Sequence, residues 1–416
     1  MAAESPRART AAAREPGGDG ATAQDRFSIG AHLVAIAVVL LLFGNLLGPL
    51  GSSVVLMGAA GVVGIAILRS LARHGAVAWR TVLLALLIAL VVAIRAFYDP
   101  PMTTYGQTKW VNFTTTTLAT MAAAAAVSRP RVIRAMAVWW VVVGMALAVL
   151  ALAGPAAATG RAQVEGSNPV WLGRATSASI VIAVWMGASS TWRWWRVVVV
   201  VPILAVGLLA TGSRGPAAAA IIGVTVLLLA PTARRSRQSL WLVLLGAGGL
   251  AIAPTVPAVA NSRFGRFIAD GDVGSETRGS LWTESLRAIP DLPFGAGIGD
   301  WSQATGITRH AWPHNVFLEV FVEQGWLAGV LLVVLVIIIA RRLWRRAGDD
   351  PGLQLALALL VTETVHVSTS GDLNARTFFF VLLLAVTLLN KRRFEAQGQG
   401  LPTGDLSPSG RAATLP

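Results

Sequence analysis

HNVFLEVFVEQGWLAGVLLVVLVIIIARRLWRR, residues 314–346, decides the class of the fold. A histidine, an amide and two acids open it, an unbroken apolar run fills 326–340, and arginines close it. An apolar run of about 17–25 residues is long enough to cross a bilayer as a helix. Arginines at its end mark the cytoplasmic boundary. The stretch reads as one transmembrane helix over 315–340, with its polar mouth on the opposite face.

Similar runs recur between Ile29 and Asn390. The chain is 55% hydrophobic and only 13% charged, and its mean hydropathy is +0.65. That composition belongs to a membrane protein. About twelve spans can be drawn, near 29–49, 52–68, 81–97, 108–127, 135–154, 171–190, 197–211, 216–231, 240–256, 315–340, 353–368 and 376–390. The expected fold is therefore an all-α integral membrane protein. Residues 1–27 and 395–416 read as disordered cytoplasmic tails around a membrane domain at 28–394. The first tail lacks the h-region and cleavage site of a signal peptide.

The net charge of +14 follows from placement. RSLARHGAVAWR, SRPRVIR, TWRWWR, TARRSRQS, RRLWRR and KRRF all fall on one side of the drawn spans. The positive-inside rule makes that side cytoplasmic, and both termini with it. The basicity is juxtamembrane, which argues against a nucleic-acid partner. There is no cysteine, so disulfides and thiolate metal sites are excluded.

Almost every connection is short. The exception is about 257–314, on the extracytoplasmic face between helices 9 and 10, and long loops of that kind are usually functional. Within it SETRGSLWTESLRAI (275–289) reads as a helix capped by Ser275 and stopped by Pro290, and PFGAGIGDW (293–301) as a glycine-rich turn. A second outer loop, PAAATGRAQVEGSNPV (155–170), carries Arg161 and Asn168.

Three places carry chemistry. In LLATGSRGPAAAA (208–220) the glycines and Pro216 break one apolar stretch into two helices. Pro216 suits the first helical position, and the free N–H groups there, beside Ser213 and Arg214, favour an anion. In TRGSLW, Trp282 lies one turn from Arg278 on the same helix face. In the opening stretch Pro313 marks a helix start, which puts His314 in the first turn. The positive dipole end and neighbouring arginines disfavour imidazolium, so a neutral ring is available as a general base. Asn315, Glu319 and Glu323 form a stripe turned away from His314. Carboxylates in a membrane helix face a bundle interior or an aqueous cavity.

Some patterns carry little. Asp270 and Asp272 resemble a metal-nucleotide pair only over three residues. Gly295, Gly297 and Gly299 follow no strand. His310 and His314 are separated by Pro313 and have no third ligand nearby, so no metal site is expected. Asp372 and Arg376 flank the last outer turn, where they line a cavity or pair with each other.

Taken in order, GSNPVWLGR, TGSRG, TRGSLW with PFGAGIG, and HNVFLEVFVEQGWLAG resemble the O-antigen ligase and polysaccharide polymerase family, membrane glycosyltransferases of bacterial envelopes. The resemblance covers roughly 155–330 at motif level. It implies transfer of an oligo- or polysaccharide from undecaprenyl diphosphate to an acceptor hydroxyl, with inversion. The acceptor is a glycan, a lipid or a protein. The site would lie at the outer face of the cytoplasmic membrane, with neither metal nor cofactor. On this resemblance Arg214 and Arg278 hold the diphosphate and His314 is the base. Arg161, Asn168, Ser213, Trp282, Asn315 and Glu319 complete the expected substrate contacts. The alternative class is a transporter or flippase of a lipid-linked glycan or other solute, in which Glu319, Glu323 and Glu363 would be proton or substrate sites.

Overall fold

The computed structural model describes residues 28–46, 53–154, 161–164, 168–230, 259, 262, 276–348 and 350–398. Among them there is helix and no strand. The expected span at 240–256, the Ser275 cap and Asp270–Asp272 lie outside the described residues.

In chain order the helices are α1 (Ile29–Phe43), α2 (Ser53–Tyr98), α3 (Thr104–Asn112), α4 (Leu118–Ala123), α5 (Pro130–Ala153), α6 (Pro169–Ala188), α7 (Trp194–Ala210) and α8 (Arg214–Leu229). They continue with α9 (Glu276–Ala288), α10 (Trp301–Thr305), α11 (Val316–Gln324), α12 (Trp326–Arg346), α13 (Pro351–Ser370) and α14 (Arg376–Gly398). A π turn (Phe113–Thr117) joins α3 to α4 without a break. Among the described residues, six helical segments are long and apolar enough to cross a membrane: Val54–Arg73, Gly75–Tyr98, Pro130–Ala153, Pro169–Ala188, Trp326–Arg346 and Pro351–Ser370. Helices α1, α7 and α8 are apolar and shorter. The chain is a multi-pass membrane protein.

Helix α6 is the axis of the bundle. Every residue from Leu172 to Gly187 is buried, and α5, α7, α8 and α13 pack around it. Small residues let the backbones approach, as is usual between membrane helices. Gly144 of α5 faces Ser179 of α6, Gly207 of α7 faces Ala148 of α5, and Gly223 of α8 faces Thr362 of α13, none with room for a Cβ. By contrast α12 exposes Leu327, Val330, Leu331, Val334, Ile337 and Ile338. Such a continuous apolar face suits lipid and not water.

Three expectations are corrected. The turn expected at 69–80 is helix: α2 is continuous for 46 residues. Its two apolar halves therefore lie end to end and not as a hairpin. RSLARHGAVAWR consists largely of helix-favouring Ala, Leu and Arg, and its lone Gly75 is too weak a breaker to end the helix. The span drawn over 315–340 is broken at Gly325, whose φ is +87°, into α11 and α12. The polar tail expected from 395 begins as helix, since α14 reaches Gly398.

The break at Gly325 explains the glycine-rich turn. Ala296 N–H donates to Val322 O at 2.7 Å and Gly297 N–H to Glu323 O at 3.1 Å, while Trp326 N–H donates to Pro293 O at 3.1 Å. The loop thus satisfies carbonyls that the end of α11 leaves open. Gly295 and Gly325 lie back to back with positive φ, and a Cβ on either would meet the other's backbone.

Candidate functional site

The C-terminal end of α13 gathers the site. Three consecutive residues, Thr369, Ser370 and Gly371, each touch a different helix within its first two turns. Thr369 fills the space where Gly215 of α8 has no side chain. Ser370 Oγ accepts from Arg174 of α6 at 3.1 Å. Gly371 packs on Val316, the first residue of α11. Arg214, Arg174 and His314 are carried on or next to these early turns, so they share one end of the bundle.

The α7–α8 break falls where TGSRG stands. The chain turns through Gly212, with φ of +64°, and α8 begins at Arg214 with Ser213 as N-cap. Pro216 is thus the third helical residue and not the first. Arg214 is half-buried within the first turn. Arg161 binds this turn from the other loop: its Nε donates to Thr211 O at 3.0 Å and its Nη2 to Ser213 Oγ at 2.8 Å. Asn168 caps α6, accepting from Val170 N–H at 2.8 Å. Arg161, Asn168 and Ser213 therefore shape the two helix starts. Gly173 lies directly against Ser213 and Pro216, which sets the starts of α6 and α8 side by side.

His314 precedes its helix. Asn315 is the N-cap of α11, its Oδ1 accepting from Phe317 and Leu318 N–H at 3.0 and 3.2 Å. His314 stands one residue before the cap in the left-handed region, φ 58°. A non-glycine residue there carries about 1–2 kcal/mol of strain, and such strain is kept where the surroundings dictate the backbone. Trp312 packs edge-on to the His314 ring at 5.0 Å and His310 at 5.7 Å. Burial first, then the positive charges of Arg278, His310 and Arg174, lower the His314 pKa from 6.5 to about 4. The expectation of a neutral ring had named dipole and arginines; burial is the larger cause.

Arg278 is exposed on α9, and its charge acts on both His314 and Arg174. Trp282, half-buried, fixes α9 in place by donating its Nε1–H to Pro313 O at 3.1 Å. Glu284 pairs with Arg287.

Glu319 and Glu323 lie beneath the site, 0% exposed, and both bind Lys109 of α3, which is 1% exposed. Lys109 Nζ to Glu323 Oε2 is 2.5 Å. Glu319, expected at the substrate, is part of this buried triad. A lone lysine at the start of an apolar stretch and two acids one helical turn apart are the signal that would have paired them, since charges inside a membrane find partners.

Arg174, the last residue of GSNPVWLGR, was not singled out in the sequence. It is 8% exposed, and its Nη2 donates to His366 O and Ser370 Oγ, both at 3.1 Å. Behind it His366 Nε2 meets Ser177 Oγ at 2.7 Å, and Glu363 Oε2 accepts from Thr377 at 2.8 Å. Arg376 donates to Leu41 O at 3.1 Å, and among the described residues no ion pair joins it to Asp372.

No curated protein matches the chain at a significant level. The family model described as O-antigen ligase matches residues 199–334. That stretch runs from α7 into α12 and contains Arg214, Arg278 and His314; Arg161, Asn168 and Arg174 precede it. Over that part of the chain the match supports the O-antigen ligase and polymerase family for this multi-pass membrane protein, and with it a glycosyltransferase-type enzyme.

Proposed function

We propose that the protein transfers a glycan from undecaprenyl diphosphate to an acceptor hydroxyl at the extracytoplasmic face of the cytoplasmic membrane. One observation carries the reading: a half-buried imidazole, neutral at pH 7, lies within reach of the charge of Arg278, both inside a stretch similar to O-antigen ligase.

The chemistry follows from charge. As the sugar C1–O bond breaks, its electron pair goes to the departing diphosphate. Guanidinium groups from Arg214 and Arg278, with the N–H groups at the start of α8, stabilise that charge without a metal. The acceptor oxygen attacks C1 from the opposite face and gives its proton to His314. One displacement inverts the anomeric centre.

Transport is the competing class. It calls for carboxylates available within the membrane, whereas Glu319 and Glu323 are held by Lys109 and Glu363 by Thr377. The deciding experiment incubates the purified protein in proteoliposomes with a labelled lipid-diphosphate oligosaccharide and a panel of hydroxyl acceptors. Glycan on an acceptor, with free lipid diphosphate released, is the expected product. Glycan that crosses the bilayer still attached to its lipid would replace this reading with transport.

A further inference from the structure

Arg174 and Arg376 line one small cleft that the mechanism above does not use. Its other lining includes Trp171 and Asn374 on the polar side and Leu42, Phe43 and Leu46 of the α1 end on the apolar side. Arg174 is more than nine-tenths buried, and its Nε has no hydrogen-bond partner. A buried guanidinium N–H left unmatched is costly, so such a group marks a place where a ligand or ordered water completes the pairing.

The cleft is small, about 30 Å³, room for a few heavy atoms and not for a sugar ring. Among the described residues the lining itself holds two guanidinium groups and no carboxylate, which favours an anion, while Glu363 and Asp372 act on Arg174 from outside it. Glu363 is bonded to Thr377 and faces His366. Asp372 acts on both arginines, while Arg278 adds a third positive charge that acts on Arg174. Guanidinium forks match phosphate oxygens in pairs. Leu42 and Phe43 at the end of α1, with Leu46 just beyond it, give the cleft an apolar wall.

We propose that Arg174 and Arg376 hold a phosphoryl group attached to a lipid chain, the chain leaving along Leu42, Phe43 and Leu46. On the glycan-transfer reading, on which this assignment rests, the group is the donor phosphate nearest the lipid. The sugar-proximal phosphate then faces Arg214 and Arg278. Arg174 and Arg376 are positioning residues: they fix where the diphosphate lies.

The test uses the full chain in nanodiscs with undecaprenyl monophosphate, which has one phosphate and no sugar. The wild type is expected to bind it, and Arg376→Gln to weaken binding at least tenfold. In transfer assays the same variant should raise the donor KM about tenfold with kcat within threefold. Equal binding by wild type and Arg376→Gln overturns the site. Inorganic phosphate is the second probe: binding as tight as that of the lipid phosphate overturns the lipid assignment. A photoreactive polyprenyl monophosphate gives a readout on the wild type, independent of how variants fold. Labelling at Leu42–Leu46 or Trp171 supports the site, and labelling confined elsewhere overturns it. Lipid phosphate that binds through Arg376 in a protein that transfers no glycan would sink the enzymatic reading and leave the site standing.

Discussion

The indole N–H of Trp282 is bonded to the carbonyl oxygen of Pro313, 31 residues away in sequence, at 3.1 Å. The helix that bears Arg278 and the turn that bears His314 are thus fastened together by one side chain. Replacing Trp282 by Phe keeps an aromatic ring, smaller than indole, and removes the bond, which by itself is a loss of about 1 kcal/mol. Transfer is expected to fall about fivefold or more while the melting temperature moves by only a few degrees. Unchanged kcat/KM would show that the two parts hold their places without this bond.

His314→Asn is the cleanest test of the base. Asn tolerates the left-handed backbone that His314 adopts at φ 58°, but it cannot take a proton. Turnover is expected to drop by about 10²–10⁴-fold, with donor binding near normal. Because the His314 pKa is lowered to about 4, the base is neutral at every pH well above 4. Activity in the wild type should therefore hold as pH falls through 6.5, where an ordinary imidazole is half protonated, and decline only near 4. An activity midpoint near 6.5 would contradict the burial assigned to this ring.

Arg214→Lys keeps the charge and loses the planar fork. A point charge does not replace two parallel N–H donors, so kcat should fall by about tenfold or more. Wild-type turnover in this variant would rule out paired contact with the diphosphate.

Lys109→Met leaves Glu319 and Glu323 buried without a counter-charge. Removing one partner of a buried pair costs about 3–5 kcal/mol, so the variant should express poorly or melt much lower. Adding Glu319→Gln and Glu323→Gln removes the stranded charge and should recover most of the stability. If the triple variant is also active, the triad supports the fold and takes no part in transfer. Loss of activity in a stable triple variant would return Glu319 to the substrate.

Glycan transfer should continue in excess EDTA, since two arginines and a helix start supply the positive charge for the leaving group. A strict requirement for added divalent cation would mean that another group bears that charge.

Much of this was legible where the sequence carries local punctuation. Gly212, Gly215 and Pro216 announce a helix break, and Pro313 followed by Asn315 announces a helix start. Their positions shifted by one or two residues because the caps, Ser213 and Asn315, are set by backbone geometry that composition does not fix. The helix at 276–288 was readable for the same reason, with Pro290 ending it in a short 3-10 turn. What stayed hidden depends on packing between distant segments. Lys109 and Glu319 are 210 residues apart, and nothing local says that they meet. Arg174 lies in a stretch whose buried face only the bundle defines. Gly325 reads as an ordinary residue in a membrane helix until the 293–297 loop is seen to need its missing side chain.

The ring of Trp326 stands at the head of the lipid-facing helix α12, 45% exposed, and donates at 2.7 Å to Ile289 O, just past the end of α9. Tryptophans in that setting settle among lipid headgroups. Because this one is tethered just past the end of the arginine-bearing helix, the head of α12 and α9 are coupled, and whatever depth the indole takes is passed on to Arg278.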